Sequence, residues 1–475
     1  MPPTPQEVAS IVARRLAERT GEFAIIGLGR SGVAAARLLR KAGVSVYASD
    51  AGSTPALQAA AALLEREGAS VDVGQHNLER VAHAAVLVVS PGVPPSAPPL
   101  RTALAAGIPI VSEVEVALRL TPALRYIATT GTNGKTTTTA MVGHLLRALG
   151  HDAPEVGNIG TPVSELALRE HPPTWAALEI SSFQLHDTPG LLPDVGVLTT
   201  LSPDHLDRYE SVNTYYADKK RLFANATLAS RWVTTADNTD VHQLVRGVPG
   251  HWYHFSTQRC DVDAWLDRER DELHVLGAPL LKRDELALAG DHNVANALAA
   301  LLAVMVADEA HRTPAARATL ARALREFGAL AHRLEPVGEY AGIRWINDSK
   351  ATNVASTQVA VAGMTRPTVL LLGGRHKGEP YTTLAPELRR IARAVVAFGE
   401  AGPQIAADLA GPLEGQVPVQ LLPAGTDFES VLRVARGAAQ TGDVILLSPA
   451  CSSYDMFRNY EERGREFTRL AQVIA

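Results

Sequence analysis

The sequence predicts an α/β protein of three domains built on mainly parallel sheets, and three observations support this. The 475 residues exceed what one hydrophobic core usually organises and suggest about three domains. Short apolar runs alternate with helical patterns from end to end, as in parallel sheets. Two of the apolar runs lead into glycine-rich loops, at residues 27–32 and 131–134. The predicted domains cover residues 1–119, 120–329 and 330–475.

The composition describes a globular protein and excludes several classes of partner. Apolar residues make up 46% of the chain and the formal net charge is −5, which gives no basis for nucleic-acid binding. Cys260 and Cys451 are the only cysteines, which favours a reducing compartment over a disulfide framework. No apolar stretch of the sequence is long enough to insert into a membrane and no secretory signal is visible, so a cytoplasmic protein is expected.

The first glycine-rich loop has the pattern of a diphosphate-binding turn. The apolar run from Phe23 leads into Gly27-Leu-Gly29-Arg-Ser-Gly32, an alanine-rich helix follows to Leu39, and the next apolar run ends at Asp50. This spacing fits the dinucleotide fingerprint, in which glycines allow a tight turn and close approach to a pyrophosphate. A UDP-linked diphosphate suits the same turn. The alternative is that these glycines only let a helix pack on a strand.

The second glycine-rich loop predicts a site for ATP. An apolar run from Tyr126 leads into Gly131-Thr-Asn-Gly134-Lys135-Thr136, and the apolar pattern of a helix follows. In such a loop the backbone N–H groups face phosphate, the lysine neutralises it and the threonine hydroxyl can ligate Mg²⁺. Thr129 replaces the first glycine of the commonest phosphate loop, so the glycine spacing is tighter. A surface turn that happens to contain Gly-Lys-Thr is the alternative.

Two further apolar runs of the middle block end in polar side chains. Glu179 ends one of them, where phosphoryl-transfer sites place a Mg²⁺ ligand, although a glutamate at a strand end is most often solvated. The other leads to Asp204-His205, whose imidazole could bind a metal. The helical pattern over residues 215–223 contains Lys219 and Lys220, and by composition it is a basic, solvent-facing helix.

The rest of the middle block is less informative. Asn293 and Asn296 are three residues apart at the start of a helical pattern, so both could contact one planar ligand, although Asp291 or Asn293 as a simple N-cap is an equal alternative. Residues 250–284 are more charged, more aromatic and less periodic, and we expect an excursion within the block. A helix is expected over residues 315–327.

Four apolar runs and four polar clusters mark the last block. The runs predict strands at residues 343–346, 369–372, 394–398 and 444–447. The polar clusters are predicted at strand ends, where open α/β sheets bind ligands, and they occupy residues 332–333, 347–353, 373–378 and 448–457.

Taken in order, these motifs resemble the Mur ligases, the ATP-dependent amino-acid ligases of peptidoglycan precursor synthesis. The resemblance covers essentially the whole chain. Thr-Gly-Thr-Asn-Gly-Lys-Thr at residues 130–136 is shared with folylpolyglutamate synthases and fixes only the superfamily. Residues 347–353 and 448–464 resemble the branch of the family that adds D-glutamate.

The resemblance implies a fold and a reaction. The N-terminal and C-terminal domains would be Rossmann-like and the central domain of the P-loop NTPase type. The N-terminal domain would bind UDP-N-acetylmuramoyl-L-alanine and not NAD. D-Glutamate would be joined to that substrate through an acyl phosphate, with ATP converted to ADP and phosphate. Two Mg²⁺ ions are implied as cofactors, the partners are expected to be these small molecules alone, and we expect a monomer.

The resemblance also implies roles for individual residues, carried over by matching positions. The residues implied for the UDP-substrate are Gly29, Arg30, Ser31, Asp50 and Asn158. Those implied for ATP are Gly131, Thr132, Asn133, Gly134, Lys135, Thr136, Thr137, Asn293, Asn296, Arg333, Asp348 and Lys350. Those implied for D-glutamate are Thr352, Lys377, Ser453, Tyr454 and Tyr460, the last usually a phenylalanine in the family.

The metal ligands implied by the resemblance are Thr136, Glu179, His205 and Lys219, and the catalytic residues are Lys135, Glu179, His205 and Lys219. Lys219 matches a lysine that the family carbamylates with CO₂, which needs a neutral amine that burial or nearby cations favour. The sequence departs from the family after Asp50, where Ala51-Gly52 replaces an expected hydroxyl and arginine.

Three rival functions remain open at this point. An NAD-dependent oxidoreductase would use the loop from Gly27 to Asp50 but leaves the phosphate loop without a purpose. A nucleotide-dependent switch would bind ATP without amino-acid-dependent turnover. A sister ligase would add another amino acid, and residues 448–464 are the feature that distinguishes it.

Overall fold

The computed structural model describes residues 3–206, 208–288, 290–328 and 330–474. The chain packs into two compact units, described separately below. The first unit runs to Leu201 and adds Tyr216–Glu285 and Ala295–Arg325, and the second holds Ser202–Tyr215, Leu286–Val294 and the chain from Glu326 onwards. The described residues form sheets of five and nine strands in the first unit and of six strands in the second. The boundary predicted at residue 329 lies outside the described residues.

The five-stranded sheet is parallel throughout, in the order β3-β2-β1-β4-β5. β4 is buried along its whole length and β1 from Phe23 onwards, as is usual for parallel strands covered on both faces, which explains why they read as continuous apolar runs. The elements are α1 (Pro5–Glu18), β1 (Glu22–Ile26), α2 (Arg30–Lys41), β2 (Ser45–Asp50), α3 (Pro55–Arg66), β3 (Ser70–Val73), α4 (Leu78–Ala82), β4 (Val86–Val89), α5 (Pro98–Ala105), β5 (Ile110–Ser112) and α6 (Glu113–Leu120).

The nine-stranded sheet has the order β14-β13-β12-β11-β10-β9-β6-β8-β7. Its elements are β6 (Arg125–Thr130), α7 (Lys135–Ala148), β7 (Glu155–Gly157), α8 (Val163–Ala167), β8 (Trp175–Glu179), α9 (Ser182–His186), β9 (Val195–Leu198), α10 (Val212–Lys220), β10 (Arg231–Thr235), α11 (Thr239–Val245), β11 (His251–Ser256), β12 (Ala264–Asp267), β13 (Glu272–Val275), β14 (Ala278–Lys282), α12 (Asp291–Ala307) and α13 (Pro314–Glu326).

Residues 250–284, predicted as an excursion within the central block, form four strands. β11 pairs in parallel with β10 and β12, and β13 pairs antiparallel with both β12 and β14. The strands therefore extend the central sheet. β12 alternates buried and half-buried residues, so its four residues give no continuous apolar run for the sequence to show. The helix predicted over residues 315–327 is confirmed as α13.

The six-stranded sheet has the order β15-β16-β20-β17-β18-β19, with β15 antiparallel to β16 and the other pairs parallel. The four strands predicted for this block are confirmed as β16, β17, β18 and β20. The elements are β15 (Glu335–Tyr340), β16 (Ile343–Asn347), α14 (Val354–Ala362), β17 (Thr368–Gly373), α15 (Ala385–Ile391), β18 (Ala392–Phe398), α16 (Gly402–Leu413), β19 (Val419–Leu421), α17 (Phe428–Ala438), β20 (Val444–Leu447) and α18 (Tyr460–Ile474). None of the helices in the described part of the chain is long and apolar enough to cross a membrane.

Glu113 connects the two sheets of the first unit through a buried carboxyl. It is 3% exposed at the start of α6, and its Oε1 accepts the N–H of Ser164 in the first turn of α8. Burial raises the pKa of Glu113 to about 7. The folded protein therefore holds a proton between pH 4.5 and 7 that the unfolded chain releases, so the carboxyl lowers stability as pH rises through that range.

Glu113→Gln is expected to remove this pH dependence, because the amide cannot ionise and its oxygen can still accept from Ser164. The difference in unfolding free energy between the variant and the wild type should therefore shift in favour of the variant by about 3 kcal/mol when the pH is raised from 5 to 8. Urea unfolding at both pH values measures the change, with Glu65→Gln, at an exposed position of α3, as the control. Parallel pH profiles for the wild type and Glu113→Gln would contradict the prediction.

Candidate functional site

The phosphate loop predicted at residues 131–134 joins β6 to α7, as the sequence indicated. Gly131 and Gly134 have φ of 143° and 84°, values that favour glycine, and no side chain caps the α7 N-terminus at Gly134. Thr132 and Asn133 form the loop between them, and Thr136 and Thr137 lie in the first turn of the helix. The backbone N–H groups of this first turn have no helical partners, so the loop can receive an anion.

Two lysine side chains meet on one carbonyl of this loop. Lys135 Nζ donates to the carbonyl oxygens of Gly131 at 2.9 Å and Thr132 at 2.8 Å. Lys219 Nζ, from the end of α10, donates to the same Gly131 oxygen at 2.7 Å. Lys219 is 1% exposed, so the alternative of a solvent-facing helix is wrong at this residue, whereas its neighbour Lys220 is exposed. The loop therefore brings Lys135 and the buried Lys219 together at one oxygen, and the positive charge of Lys135 suits it to polyphosphate.

Thr199 and Thr200, which sequence reasoning missed, stabilise the phosphate loop through hydrogen bonds to its backbone. They directly follow β9. Thr199 Oγ1 donates to the carbonyl oxygens of Thr130 and Asn133 at 3.1 and 2.5 Å. Thr200 receives N–H groups of the loop, from Asn133 on its Oγ1 at 3.1 Å and from Thr132 on its carbonyl at 2.7 Å. Their position at the end of a predicted strand, next to the strand that carries the loop, was the available signal.

Glu179 and Asn158 form one hydrogen-bonded pair beside the loop strand. Glu179 is the last residue of β8 and 1% exposed, so it is not the solvated side chain of the alternative reading. Asn158 donates its N–H to the Glu179 carbonyl at 2.9 Å and its Nδ2 to Glu179 Oε1 at 2.7 Å. Oε2 of Glu179 is buried without a hydrogen-bond partner among the described residues. An orphaned carboxylate oxygen of this kind fits a divalent cation.

Asn293 and Asn296 both lie in α12 and are each 6% exposed. The helix begins at Asp291, so Asn293 lies inside the first turn and is not the N-cap of the alternative reading. Asn296 packs against the phosphate loop, since its Oδ1 accepts from Thr138 Oγ1 at 3.3 Å and lies 2.5 Å from where a Cβ on Gly134 would stand.

The glycine loop of the first sheet has the packing that its pattern predicts. A Cβ on Gly32 would lie 1.9 Å from the Gly27 carbonyl, so this glycine allows α2 to pack on β1. Gly29 caps α2 with open space around it. Asp50 closes the loop, because its Oδ2 accepts from Leu28 N at 2.8 Å and its Oδ1 from Gly52 N at 2.8 Å. Asp50 therefore holds the loop in place through both carboxylate oxygens.

Arg30 and Ser31 occupy the first turn of α2. The Arg30 guanidinium pairs with Glu165 of α8 at 2.7 Å and donates to the Gly160 carbonyl at 3.2 Å. The hydrogen bond with Glu165 raises the pKa of Arg30 above its ordinary value. In this structure the side chain thus links α2 to the central sheet, while Ser31 is half-buried.

In the second unit, the cluster His332-Arg333 does not follow a strand as predicted. It precedes β15, which is antiparallel to β16 and pairs Glu335 with Asn347, so the cluster still lies at the carboxyl edge of the parallel strands. Among the described residues, Arg333 Nε is buried without a hydrogen-bond partner.

Asp348 and Lys350 follow β16 at that edge. Asp348 accepts from Leu334 N at 3.1 Å and Ser448 Oγ at 2.8 Å, and burial raises its pKa to about 6 against the opposing charge of Arg333. Lys350 Nζ donates to the Tyr460 hydroxyl at 3.0 Å and lies 4.9 Å from the centre of its ring. This contact explains the hydroxyl at residue 460, which the sequence alone left without a purpose.

The residues predicted for D-glutamate are divided between buried and exposed positions. Lys377 Nζ donates to Thr352 Oγ1 at 3.4 Å, and Ser453 is 3% exposed in the loop after β20. Tyr454 is 64% exposed, so it does not share their buried environment.

Arg463 is a buried residue of α18 that sequence reasoning missed. It is 1% exposed, its Nε and Nη2 donate to Ser349 Oγ and O at 2.9 and 2.8 Å, and its Nη1 donates to the Cys451 carbonyl at 3.2 Å. Burial lowers the pKa of Arg463 to about 10. The guanidinium joins the loops after β16 and β20, and its position within residues 448–464 was the signal in the sequence.

His205 belongs to the second unit, where its backbone has φ of 56° and its N–H donates to Asp204 Oδ1 at 2.8 Å. The other predicted metal ligands, Thr136, Glu179 and Lys219, belong to the first unit. Within the part of the chain that the structure describes, no three His, Cys, Asp or Glu side chains are grouped so as to hold a metal. The fit for Mg²⁺ therefore rests on the orphaned Glu179 oxygen.

Three family models match successive parts of the chain. The MurD-like N-terminal domain of Mur ligases matches residues 21–112, the Mur ligase middle domain residues 129–304, and the glutamate ligase domain of Mur ligases residues 332–451.

Curated relatives are similar over nearly the full length. The UDP-N-acetylmuramoylalanine–D-glutamate ligase of Acidobacterium capsulatum is 38% identical, with 94% of this chain and 95% of the relative aligned. That of Salinibacter ruber is 39% identical, with 95% and 97% aligned. Among solved structures, the fold is similar to MurF ligase from Thermotoga maritima (TM-score 0.60, 16% identity, 91% and 96% covered) and to a pseudomurein peptide ligase type C from Methanothermus fervidus (TM-score 0.59, 19% identity, 95% and 99% covered).

Proposed function

Because the chain belongs to the Mur ligase family, we propose that it joins D-glutamate to UDP-N-acetylmuramoyl-L-alanine at the expense of ATP, in peptidoglycan precursor synthesis. The relatives that carry this activity in their names align over almost the whole chain. The structural observation that carries the proposal is the meeting of Lys135 and Lys219 on the Gly131 carbonyl, which brings the lysine expected to bind phosphate and the buried lysine proposed for carbamylation to one point of the phosphate loop.

The three predicted domains divide the substrates among them. Residues 1–119 would bind the UDP-linked substrate at the α2 N-terminus, where Gly29 leaves open space. Residues 120–329 would bind ATP at the phosphate loop. Residues 330–475 would bind D-glutamate through Thr352, Lys377 and Ser453, in line with the low exposure of Ser453 and the contact between the other two. We expect a cytoplasmic monomer.

The metal sites would use Thr136, Glu179 and His205, with Lys219 as a carbamate for a second ion. Mg²⁺ would supply charge neutralisation on the phosphates. Asn158 would orient Glu179 by holding its Oε1, which leaves Oε2 to the metal. For carbamylation, the neutral Lys219 amine forms an N–C bond to CO₂ and releases one proton. Burial of the side chain favours the neutral amine that this step needs.

The reaction then consists of two displacements. A carboxylate oxygen of the L-alanyl group attacks the γ-phosphorus of ATP, and the bond from that phosphorus to the bridging oxygen breaks. ADP departs, and the substrate now carries an acyl phosphate. The D-glutamate amine attacks the acyl carbon, loses a proton, and the C–O bond to phosphate breaks. Lys135 stabilises the charge on the transferring group, and the loop N–H groups orient it.

Phosphate release in the presence of ATP, Mg²⁺ and UDP-N-acetylmuramoyl-L-alanine tests the proposal. We expect release with D-glutamate and not with L-glutamate, L-alanine or D-alanine added separately. Release with a different amino acid would support ligase activity but would show that this amino acid, and not D-glutamate, is the substrate. Lack of release with all four would contradict ligation and leave a nucleotide-binding protein.

A further inference from the structure

Tyr460 is the first residue of α18, and it contacts two consecutive residues of the loop that follows β16. Its backbone carbonyl accepts from Ser349 Oγ at 2.9 Å, and its side-chain hydroxyl accepts from Lys350 Nζ at 3.0 Å. The ammonium also lies 4.9 Å from the centre of the tyrosine ring, within the range of a cation–π contact. A single residue of α18 therefore holds this loop at Ser349 and also holds the charged end of the lysine that follows.

The backbone of Lys350 is held independently of Tyr460. Its N–H donates to the His332 carbonyl at 3.0 Å, and its own carbonyl accepts from Thr352 N at 2.9 Å. These two bonds do not determine where the ammonium lies, because a lysine carries its charge on a flexible four-carbon stem. The side chain is half-buried, and the hydroxyl and ring of Tyr460 supply the constraint that the backbone bonds do not.

Lys350 lies where an open α/β sheet binds its ligands. It follows β16 at the carboxyl edge of the parallel strands. The carbonyl that its N–H contacts belongs to His332, whose neighbour Arg333 has a buried Nε without a hydrogen-bond partner among the described residues. Two cationic side chains thus start from adjoining backbone at this edge, which suits it to an anionic group such as phosphate.

We propose that the Tyr460 hydroxyl positions the Lys350 ammonium for a phosphate oxygen of ATP, so that the lysine is already ordered when the nucleotide binds. The inference rests on the proposed function, which supplies ATP as the nucleotide. Tyr460 is a positioning residue, because it acts through Lys350. A lysine side chain loses conformational entropy when a ligand fixes it, and fixing it in advance removes that cost from the binding step. The phenylalanine usual in the family would keep the ring and lack this hydroxyl.

Tyr460→Phe tests the inference, because it removes the hydroxyl and keeps both the ring and the carbonyl that binds Ser349. Phosphate release is measured with the other two substrates saturating. We expect kcat/KM for ATP to fall roughly tenfold, the effect of losing one hydrogen bond to a charged group. KM for D-glutamate should keep its wild-type value. Tyr253→Phe, at a half-buried tyrosine of β11, is the control and should keep the wild-type kcat/KM.

Two outcomes of this measurement would overturn the inference. One is an unchanged kcat/KM for ATP in Tyr460→Phe, which would show that the hydroxyl does not help to bind the nucleotide. The other is a raised KM for D-glutamate with kcat/KM for ATP unchanged, which would assign the hydroxyl to the amino acid. A lower melting temperature with equal losses for all three substrates would show a purely structural role and would also contradict it.

A double-mutant cycle tests whether the hydroxyl acts through the lysine. Lys350→Gln should lower kcat/KM for ATP by roughly a hundredfold, as for the loss of one stabilising donor. Adding Tyr460→Phe should lower it no further, because a positioning residue has no effect once the group that it positions is gone. Losses that multiply in the double variant would overturn the inference. Tyr460→Phe alone decides the question if the double variant is too slow to measure.

Failure of the inference and failure of the proposed function give different results. Absence of D-glutamate-dependent phosphate release by the wild type would overturn the proposed function, and the inference with it. Wild-type release that Tyr460→Phe leaves unchanged would overturn only the role of Tyr460 and leave the ligase intact.

Discussion

Lys219→Ala is expected to lower D-glutamate-dependent phosphate release by roughly a hundred- to a thousandfold, the loss typical when one stabilising group is removed from a transition-state site. The substitution deletes the amine that would carry the carbamate. It also deletes the hydrogen bond to the Gly131 carbonyl at 2.7 Å, next to the contact that Lys135 makes with the same oxygen. Steady-state release of phosphate at saturating substrate concentrations measures the effect.

Chemical rescue separates the carbamate from a purely structural role. Acetate or propionate should restore part of the activity of Lys219→Ala, because a small carboxylate can enter the space left by the side chain and supply anionic oxygens to the metal. Lys220→Ala is the matched control, since this neighbouring lysine is exposed. Full activity of Lys219→Ala without added carboxylate would rule out the carbamate, and an equal loss in Lys220→Ala would show that the effect is not specific to the buried lysine.

Gly131→Ala should disrupt the phosphate loop more than the addition of a methyl group at any other position of the loop. The added Cβ would lie 2.0 Å from Thr199 Oγ1, and φ at this position is 143°. Overpacking and the unfavourable backbone together should lower the free energy of unfolding by about 2–5 kcal/mol. Displacement of the loop should also weaken ATP binding by roughly ten- to a hundredfold, the equivalent of one lost charge-assisted hydrogen bond.

Gly150→Ala provides the control for the backbone contribution. Gly150 also has a positive φ, of 92°, but no atom lies within 4 Å of the position that an added Cβ would occupy. Urea unfolding and calorimetric titration with ATP, applied to both variants, separate the steric clash from the cost of the dihedral angle. Equal destabilisation of the two variants, or unchanged ATP affinity in Gly131→Ala, would contradict the role given to the close contact with Thr199.

The order of strands, helices and glycine-rich loops could be predicted from local features of the sequence. Continuous apolar runs marked the buried strands β1, β6 and β17, and the glycine spacing marked both loops. The prediction was weaker where strands are short or half-buried. β12 to β14 gave no clear periodicity, and β15 and β19 were not predicted, since sheet-edge strands expose more of their residues.

The environment of individual side chains was harder to predict. Lys219 and Lys220 are adjacent, and composition alone made both solvent-facing, yet one is 1% exposed and the other is exposed. Glu179 could equally have been a solvated strand end. Burial depends on which surface each side of an element meets, and that surface comes from other parts of the chain.

The sequence by itself determined the α/β class, the two glycine-rich loops and, through the order of its motifs, the family. Each of these depends on residues close together in the chain, whose spacing sets backbone geometry directly. The tertiary structure decided which distant groups meet: Lys219 with Gly131, Asn353 with Asp204, and Arg463 with Ser349. Such pairs form because packing buries polar groups that must then find partners, and this requirement is satisfied across the fold and not along the chain.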